Sequence, residues 1–244
     1  MGIFVLDNAR LFAGGCDFTS RSNKLELAVD YEVKKSTNFG SAGWEEVMGG
    51  LAQSALAGEG QWEAGDLAKV DDQLWAAQGA VAGYTVCPDS AAVADLAYLT
   101  QALQAKYQLG GQVGEIAPWQ AAFAGRWPLA RGKVLHPPGT ARTATGNGTA
   151  VELAAVPDGQ HLYSTLHVLS VSGTSTPTIT VKIQSNADNT FGSPTDQITF
   201  SAATAIGGQI SRVIGPITDT WFRATWTISG SSPSFLFVVG LGIK

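Results

Sequence analysis

Cysteine is nearly absent from this chain of 244 residues: only Cys16 and Cys87 occur, far apart and without a partner motif. That excludes a disulfide framework and a thiolate metal cluster, and both thiols are expected to be reduced and structural. Charge is scarce as well, at 14% against roughly 25% for an average soluble domain. Histidine is limited to His136, His161 and His167. The last two would lie roughly 20 Å apart along one strand, too far to share a metal ion. No G-x-S-x-G elbow is present, and Gly58-Glu59-Gly60 lacks the Lys and Ser/Thr of a phosphate cradle. The acid pairs Glu45-Glu46 and Asp71-Asp72 are adjacent rather than facing. No catalytic centre, metal site or cofactor is therefore expected, and the chain is not read as an enzyme. No apolar run approaches the ~20 residues of a membrane span, and the Ile3–Leu6 run is too short for a signal peptide.

Hydrophobic residues make up 45% of the chain, with 29 glycines and many Ser and Thr, which points to a globular, β-rich protein. The formal net charge of −5 lies wholly in residues 1–140, since residues 141–244 carry equal numbers of acidic and basic side chains. Neither part is the basic clamp that phosphate binding demands.

The most patterned stretch is KLELAVDYEVKKSTNFGSAGWEEVMGG, residues 24–50. Leu25, Leu27, Val29, Tyr31 and Val33 alternate with Glu26, Ala28, Asp30 and Glu32, so a strand with one buried and one wet face is expected. The wet face is mostly acidic, which suits a strand lining a solvent-filled space, although an ordinary solvated sheet face accounts for the same pattern. Lys35 to Gly43 follows as a Gly-, Ser- and Asn-rich loop holding out Phe39. Trp44, Val47, Met48, Leu51 and Ala55 recur at three and four, the spacing of an amphipathic helix ending at Gly58.

Further along, Leu74 to Val86 fits a strand better than a helix because of Gly79 and Gly83, whereas Asp95 to Tyr107 is equally compatible with either. Thr140 to Gly148 is rich in Thr, Gly and Asn, and a domain boundary is placed there. Beyond it, seven short apolar-alternating runs separated by turn signals predict an all-β sandwich of jelly-roll or immunoglobulin-like type. Trp221, Phe222 and Trp226 could line a glycan shelf, but one face of that strand is needed for the sandwich core.

The run from Asp17 to Leu25 (DFTSRSNKL), then Thr37 to Glu45 (TNFGSAGWE) and Gly50-Leu51, resembles the major tail tube proteins of long-tailed bacteriophages. Gly114 to Trp119 (GEIAPW) and Gly132 to His136 (GKVLH) are similar to closing strands of the same domain. The resemblance covers residues 1–140 and implies a mainly β, tail-tube-type, barrel-forming sandwich with one flanking α-helix. Six copies would close a ring and rings would stack into a virion tail tube, assembled in the host cytoplasm. It also turns the 95–107 segment towards strand.

On that reading Glu26, Asp30 and Glu32 face the lumen. Lys35, Ser36, Thr37, Asn38, Phe39, Gly40 and Ser41 form the inter-ring loop, and Trp44, Val47, Met48 and Leu51 belong to the flanking helix. The implied partners are further copies of the chain, the tape measure protein and other tail proteins; DNA passes without specific binding, and no membrane is involved. Residues 1–140 are then the tube domain, 141–148 a linker and 149–244 an appended sandwich, which the minimal family domain lacks. A receptor-binding or baseplate protein, or a single-ring tail terminator or connector, is the alternative.

Overall fold

The computed structural model describes residues 6–66 and 68–244, so Ile3 to Val5 of the expected first strand lie outside the described residues. The protein is mainly β, and the described residues form one α-helix and a single large sheet. Strand β1 (Arg10–Ala13) turns through Gly14 into β2 (Cys16–Asp17). β3 (Ser22–Lys35) and β4 (Val47–Gln61) make a long antiparallel hairpin, registered from Ser22 against Gly60 to Lys35 against Val47. Helix α1 (Val70–Ala76) precedes β5 (Val81–Cys87), β6 (Leu96–Leu109), β7 (Pro118–Gly125) and β8 (Ala130–His136). Then come β9 (Gly146–Asn147), β10 (Val151–Glu152), β11 (His161–Asn186), β12 (Thr195–Thr199), β13 (Gly207–Ile214) and β14 (Trp221–Ile243).

The expected helix from Trp44 to Ala57 is instead a loop and strand β4, which corrects the reading of Trp44, Val47, Met48 and Leu51. Gly49 and Gly50 sit where a helix interior would lose about 1 kcal/mol apiece relative to Ala. From Ser54 the burial has period two, with Ser54, Leu56, Gly58 and Gly60 buried between more exposed neighbours. As a strand the segment completes two ladders, with β3 and with β7, that a helix would forgo.

The α-helix of the described residues lies later, and its last turn, Leu74–Ala76, takes the start of the stretch expected to be strand, whose remainder from Val81 is β5. Asp71 and Asp72 occupy its first turn, where the helix dipole favours carboxylates, and Val70 and Leu74 are buried one turn apart. The Gln104 amide donates to the Leu74 carbonyl at 2.6 Å, satisfying an acceptor that the short helix leaves open. The 95–107 segment is strand, as the resemblance implied: β6 pairs with β5 and β8 through its first half and with β7 through its second.

In the second half, four of the seven expected strands merge into two long ones. β11 and β14 pair along most of their lengths, and both kink at the same level, around Gly173–Thr176 and Gly230–Ser232. Positive φ at Gly173 (128°) and Gly230 (114°) turns the ladder without ending it. The limbs before and after the kink bury their apolar faces in one core, including Leu166, Ile179, Ile183, Phe222, Trp226 and Phe237. The bent ribbon thus supplies both layers of a sandwich.

A second core lies under the β3–β4–β7–β6 sheet, where Leu11, Phe18, Leu56, Leu74, Trp119 and Phe123 meet. A third, smaller cluster joins Phe12, Leu99 and Val134 to Val238 of β14. Residues 141–148, read as a linker, lie against β14: Arg142 bridges to Phe235, and β9 pairs with Thr225 and Trp226.

Candidate assembly surface

The β3–β4 hairpin is rooted in the second core and then leaves it. Leu25 and Leu27 are half-buried opposite Gly58 and Leu56, but Val29, Tyr31 and Val33 on the same face are exposed, Val33 to 66%. This corrects the expectation that the whole odd face is buried within the chain, because past Ser54 β4 has no neighbour on the body side except β3. Val47, paired with Lys35, continues this face on β4, whereas the exposed Met48, paired with Lys34, and Leu51, beside Ala52, fall on the opposite face. A hairpin with this much exposed apolar area stands apart from the scattered single residues of an ordinary surface.

The end of the hairpin is built rather than loose. Asn38 Oδ1 accepts from the Gly40 N–H at 2.8 Å, and Ser41 Oγ accepts from the Asn38 N–H at 3.1 Å, a reciprocal cap around a 3₁₀ turn at Phe39–Ser41. Thr37 Oγ1 accepts from the Glu46 N–H at 2.9 Å, and the Ser36 N–H donates to the Glu46 carbonyl at 2.9 Å. Lys35 pairs with Glu45 at 3.1 Å. With its polar groups satisfied internally, the turn holds out two aromatic side chains, Phe39 fully exposed and Trp44 81% exposed.

Glu26, Asp30 and Glu32 lie on the opposite, wet face of the hairpin, and all three are exposed. Lys24 pairs with Glu26 at 3.0 Å, and Lys34 pairs with Glu32. The β-ladder register brings Glu59 and, through β7, Lys106 onto the same face, among Ala55, Ala57, Ala122 and Ala124. Four carboxylates therefore stand against three ammonium groups, so the face is alanine-paved and only slightly acidic, with the apolar Met48 and Leu51 towards the hairpin tip. Sequence reasoning found the acids but missed Lys106, whose place on this face is set by pairing across two intervening strands.

Among the described residues β3 pairs with β4 alone, so it is an edge strand along its whole length. On the far side of the four-stranded β3–β4–β7–β6 sheet, β5 pairs with β6 only as far as Leu103, so the rest of β6 is a second open edge. Two open edges on one sheet are a template for pairing between chains. At the end of the sheet away from the hairpin tip, the Arg21–Glu63 pair (2.7 Å) and Lys69–Glu63 pair (2.9 Å) tie the first 3₁₀ turn to the start of α1. These hydrogen bonds lower the Glu63 carboxyl to about 2.

The groups weighed for chemistry are structural. His167 Nδ1–H donates to the Gly14 carbonyl at 2.8 Å, and its Nε2 accepts from Thr85, which also meets Thr165 at 2.6 Å. His136 stacks on Phe237, donates to that residue's carbonyl at 3.1 Å and accepts from Arg142 at 3.2 Å. Burial lowers both imidazoles to about 4, and it raises both buried thiols, Cys16 and Cys87, to about 12. Phe222 and Trp226 are core residues while Trp221 faces the other way, so the three aromatics form no shelf. Among the described residues no group of three His, Cys, Asp or Glu side chains is placed to hold a metal ion.

No protein-family model and no curated protein matches the chain. Among solved structures, the virion of a native gene transfer agent particle aligns over 46% of this chain and 84% of its own, at 18% identity and TM-score 0.38. The tail of an empty gene transfer agent particle with C6 symmetry aligns over 45% and 81%, at 17% identity and TM-score 0.38. The Dit protein of phage SPP1, described as a paradigm of the hub adsorption apparatus in phages infecting Gram-positive bacteria, aligns over 97% and 99%, at 10% identity and TM-score 0.34. Likenesses this distant establish neither a family nor a role.

Proposed function

We infer that the chain is a structural subunit of a phage tail, and specifically that six copies close a ring and rings stack into the tube that conducts DNA. The observation that carries this reading is the projecting β3–β4 hairpin. Its apolar face and aromatic tip are exposed in a single chain, whereas the polar groups of its tip turn are already satisfied. Such a surface gains by burial against protein and has no enzymatic use. The open edges of β3 and β6 support lateral closure of the β3–β4–β7–β6 sheet into a continuous inner wall, with β3 of one copy beside β6 of the next.

On this reading Glu26, Asp30 and Glu32 line the lumen together with Lys24, Lys34 and Lys106. DNA phosphates would meet alanine and paired charges, with no cationic stripe to hold them. The Lys35 to Ser41 loop makes the contact between rings, and residues 149–244 stand outside the tube. The tape measure protein would run inside the tube, and other tail proteins would cap its ends.

The test is assembly of the purified full-length chain, followed by electron microscopy. Tubes are expected from the wild type, and rings or monomers after deletion of Asn38 to Ser41. Tubes of normal length from the deletion variant would refute the role of the loop. In virions, a copy number comparable to a single ring would favour a hub or connector over a tube.

A further inference from the structure

On the apolar side of the hairpin root lies a cleft of about 300 Å³ lined by Val29, Tyr31, Ser54, Arg126, Trp127 and Leu129. Its wall is held firmly. The Trp127 carbonyl accepts from Ser54 Oγ at 3.2 Å and from Thr100 Oγ1 at 3.0 Å, and the indole lies under the Arg212 guanidinium at 4.6 Å and edge-on to Tyr163. The Arg126 and Lys244 side chains give the rim two positive charges, and no acidic side chain lines the cleft. The hairpin tip has the complementary character: two exposed aromatics beside Glu45 and Glu46. Glu45 is paired with Lys35, whereas Glu46 is in none of the ion pairs among the described residues.

We propose that this cleft is the acceptor for the aromatic tip of another copy's hairpin, Phe39 and Trp44 entering beside Trp127 while Glu46 faces Arg126 and Lys244. The assignment rests on the tail-assembly reading and adds to it the surface that receives the loop. A chain cannot fill its own cleft. The β3–β4 ladder continues from Tyr31 to Lys35, pointing away, and carries the tip roughly 20 Å or more from Tyr31.

Displacing a second copy along the hairpin by about that distance brings its cleft to the first copy's tip. The contact joins two different surfaces, so each added copy leaves one free tip and one free cleft, and the stack has no built-in end. The exposed β6–β7 loop with Val113 and Ile116 is the competing acceptor, but its only charged residue is Glu115, which would repel Glu45 and Glu46.

Two experiments on the full chain test the docking. Arg126→Glu should raise the concentration needed for assembly at least tenfold, and adding Glu46→Arg should recover much of the loss. Arg126 is exposed and in no ion pair, so the substitution leaves the fold intact. Separately, Phe39→Cys with Pro128→Cys should give a ladder of disulfide-linked multimers under oxidation, because Cys16 and Cys87 are buried and silent. Assembly of Arg126→Glu at wild-type concentration, or a ladder from Phe39→Cys with Val113→Cys and none with Pro128→Cys, overturns the docking while leaving the tail reading standing. A wild-type chain that stays monomeric at every concentration overturns both.

Discussion

Acid should destabilise this fold well before its carboxylates titrate, and the cause is the pair of buried imidazoles. His136 and His167 have folded-state values lowered to about 4, each by burial, with the Arg142 guanidinium adding to the effect at His136. The unfolded chain takes up a proton at each near 6.5, so between about pH 6.5 and 4 the unfolded state binds more protons and stability falls as pH falls. Moving from pH 7.5 to 5 should cost about 2 kcal/mol per histidine, hence about 4 kcal/mol in total. The slope near pH 5 should approach roughly 2.4 kcal/mol per pH unit.

A domain holds only about 5–15 kcal/mol, so the loss is large. It falls on two joints at once: His167 ties β11 to the β1–β2 turn and to β5, and His136 ties β8 to β14. Glu63, Asp188 and Asp196 have lowered values, so their contributions fade only below the ordinary carboxylate range and do not overlap this window. Urea unfolding at a series of pH values, at concentrations below assembly, measures the slope. His136→Phe keeps the stacking on Phe237, loses about 1–3 kcal/mol at pH 7.5 through the orphaned carbonyl, and should halve the slope. A stability that is flat between pH 7.5 and 5 would refute the reasoning.

Three other outcomes are expected. Gly132→Ala would bring a Cβ to 1.9 Å from the Leu241 carbonyl, so it should open the β8–β14 pairing and cost about 3 kcal/mol, read as a lowered melting temperature. Replacing Glu26, Asp30 and Glu32 by Lys should change monomer stability little, since exposed pairs such as Lys24–Glu26 are screened by water and salt. In virions the same triple variant should slow DNA ejection most at low salt, and ejection at the wild-type rate across salt concentrations would argue against a lumenal face. A chain ending at Pro138 should keep β3, β4, β6, β7 and α1 but lose the Val238 cover over Leu99 and Val134, so it is expected to be folded and less stable; loss of its β-sheet circular dichroism would show that the halves fold as one unit.

The sequence by itself determined the class of fold and the character of its most patterned strand. Alternation from Leu25 to Val33 is a property of the backbone repeat, so the strand and the shared face of Glu26, Asp30 and Glu32 follow without tertiary information. Alternation likewise put Phe222 and Trp226 on one face and Trp221 on the other, but only the structure decided which face is core. Tertiary structure decided what depends on distant partners. The segment after Trp44 satisfies helical spacing locally, yet it is a strand because β7, some sixty residues later, offers it a second ladder. Likewise β6 chose strand over helix because β5, β7 and β8 surround it. The fate of Val29, Tyr31 and Val33 was beyond any period-two reading: alternation says which side chains share a face, and only the packing of the body decides how far along the hairpin that face is covered.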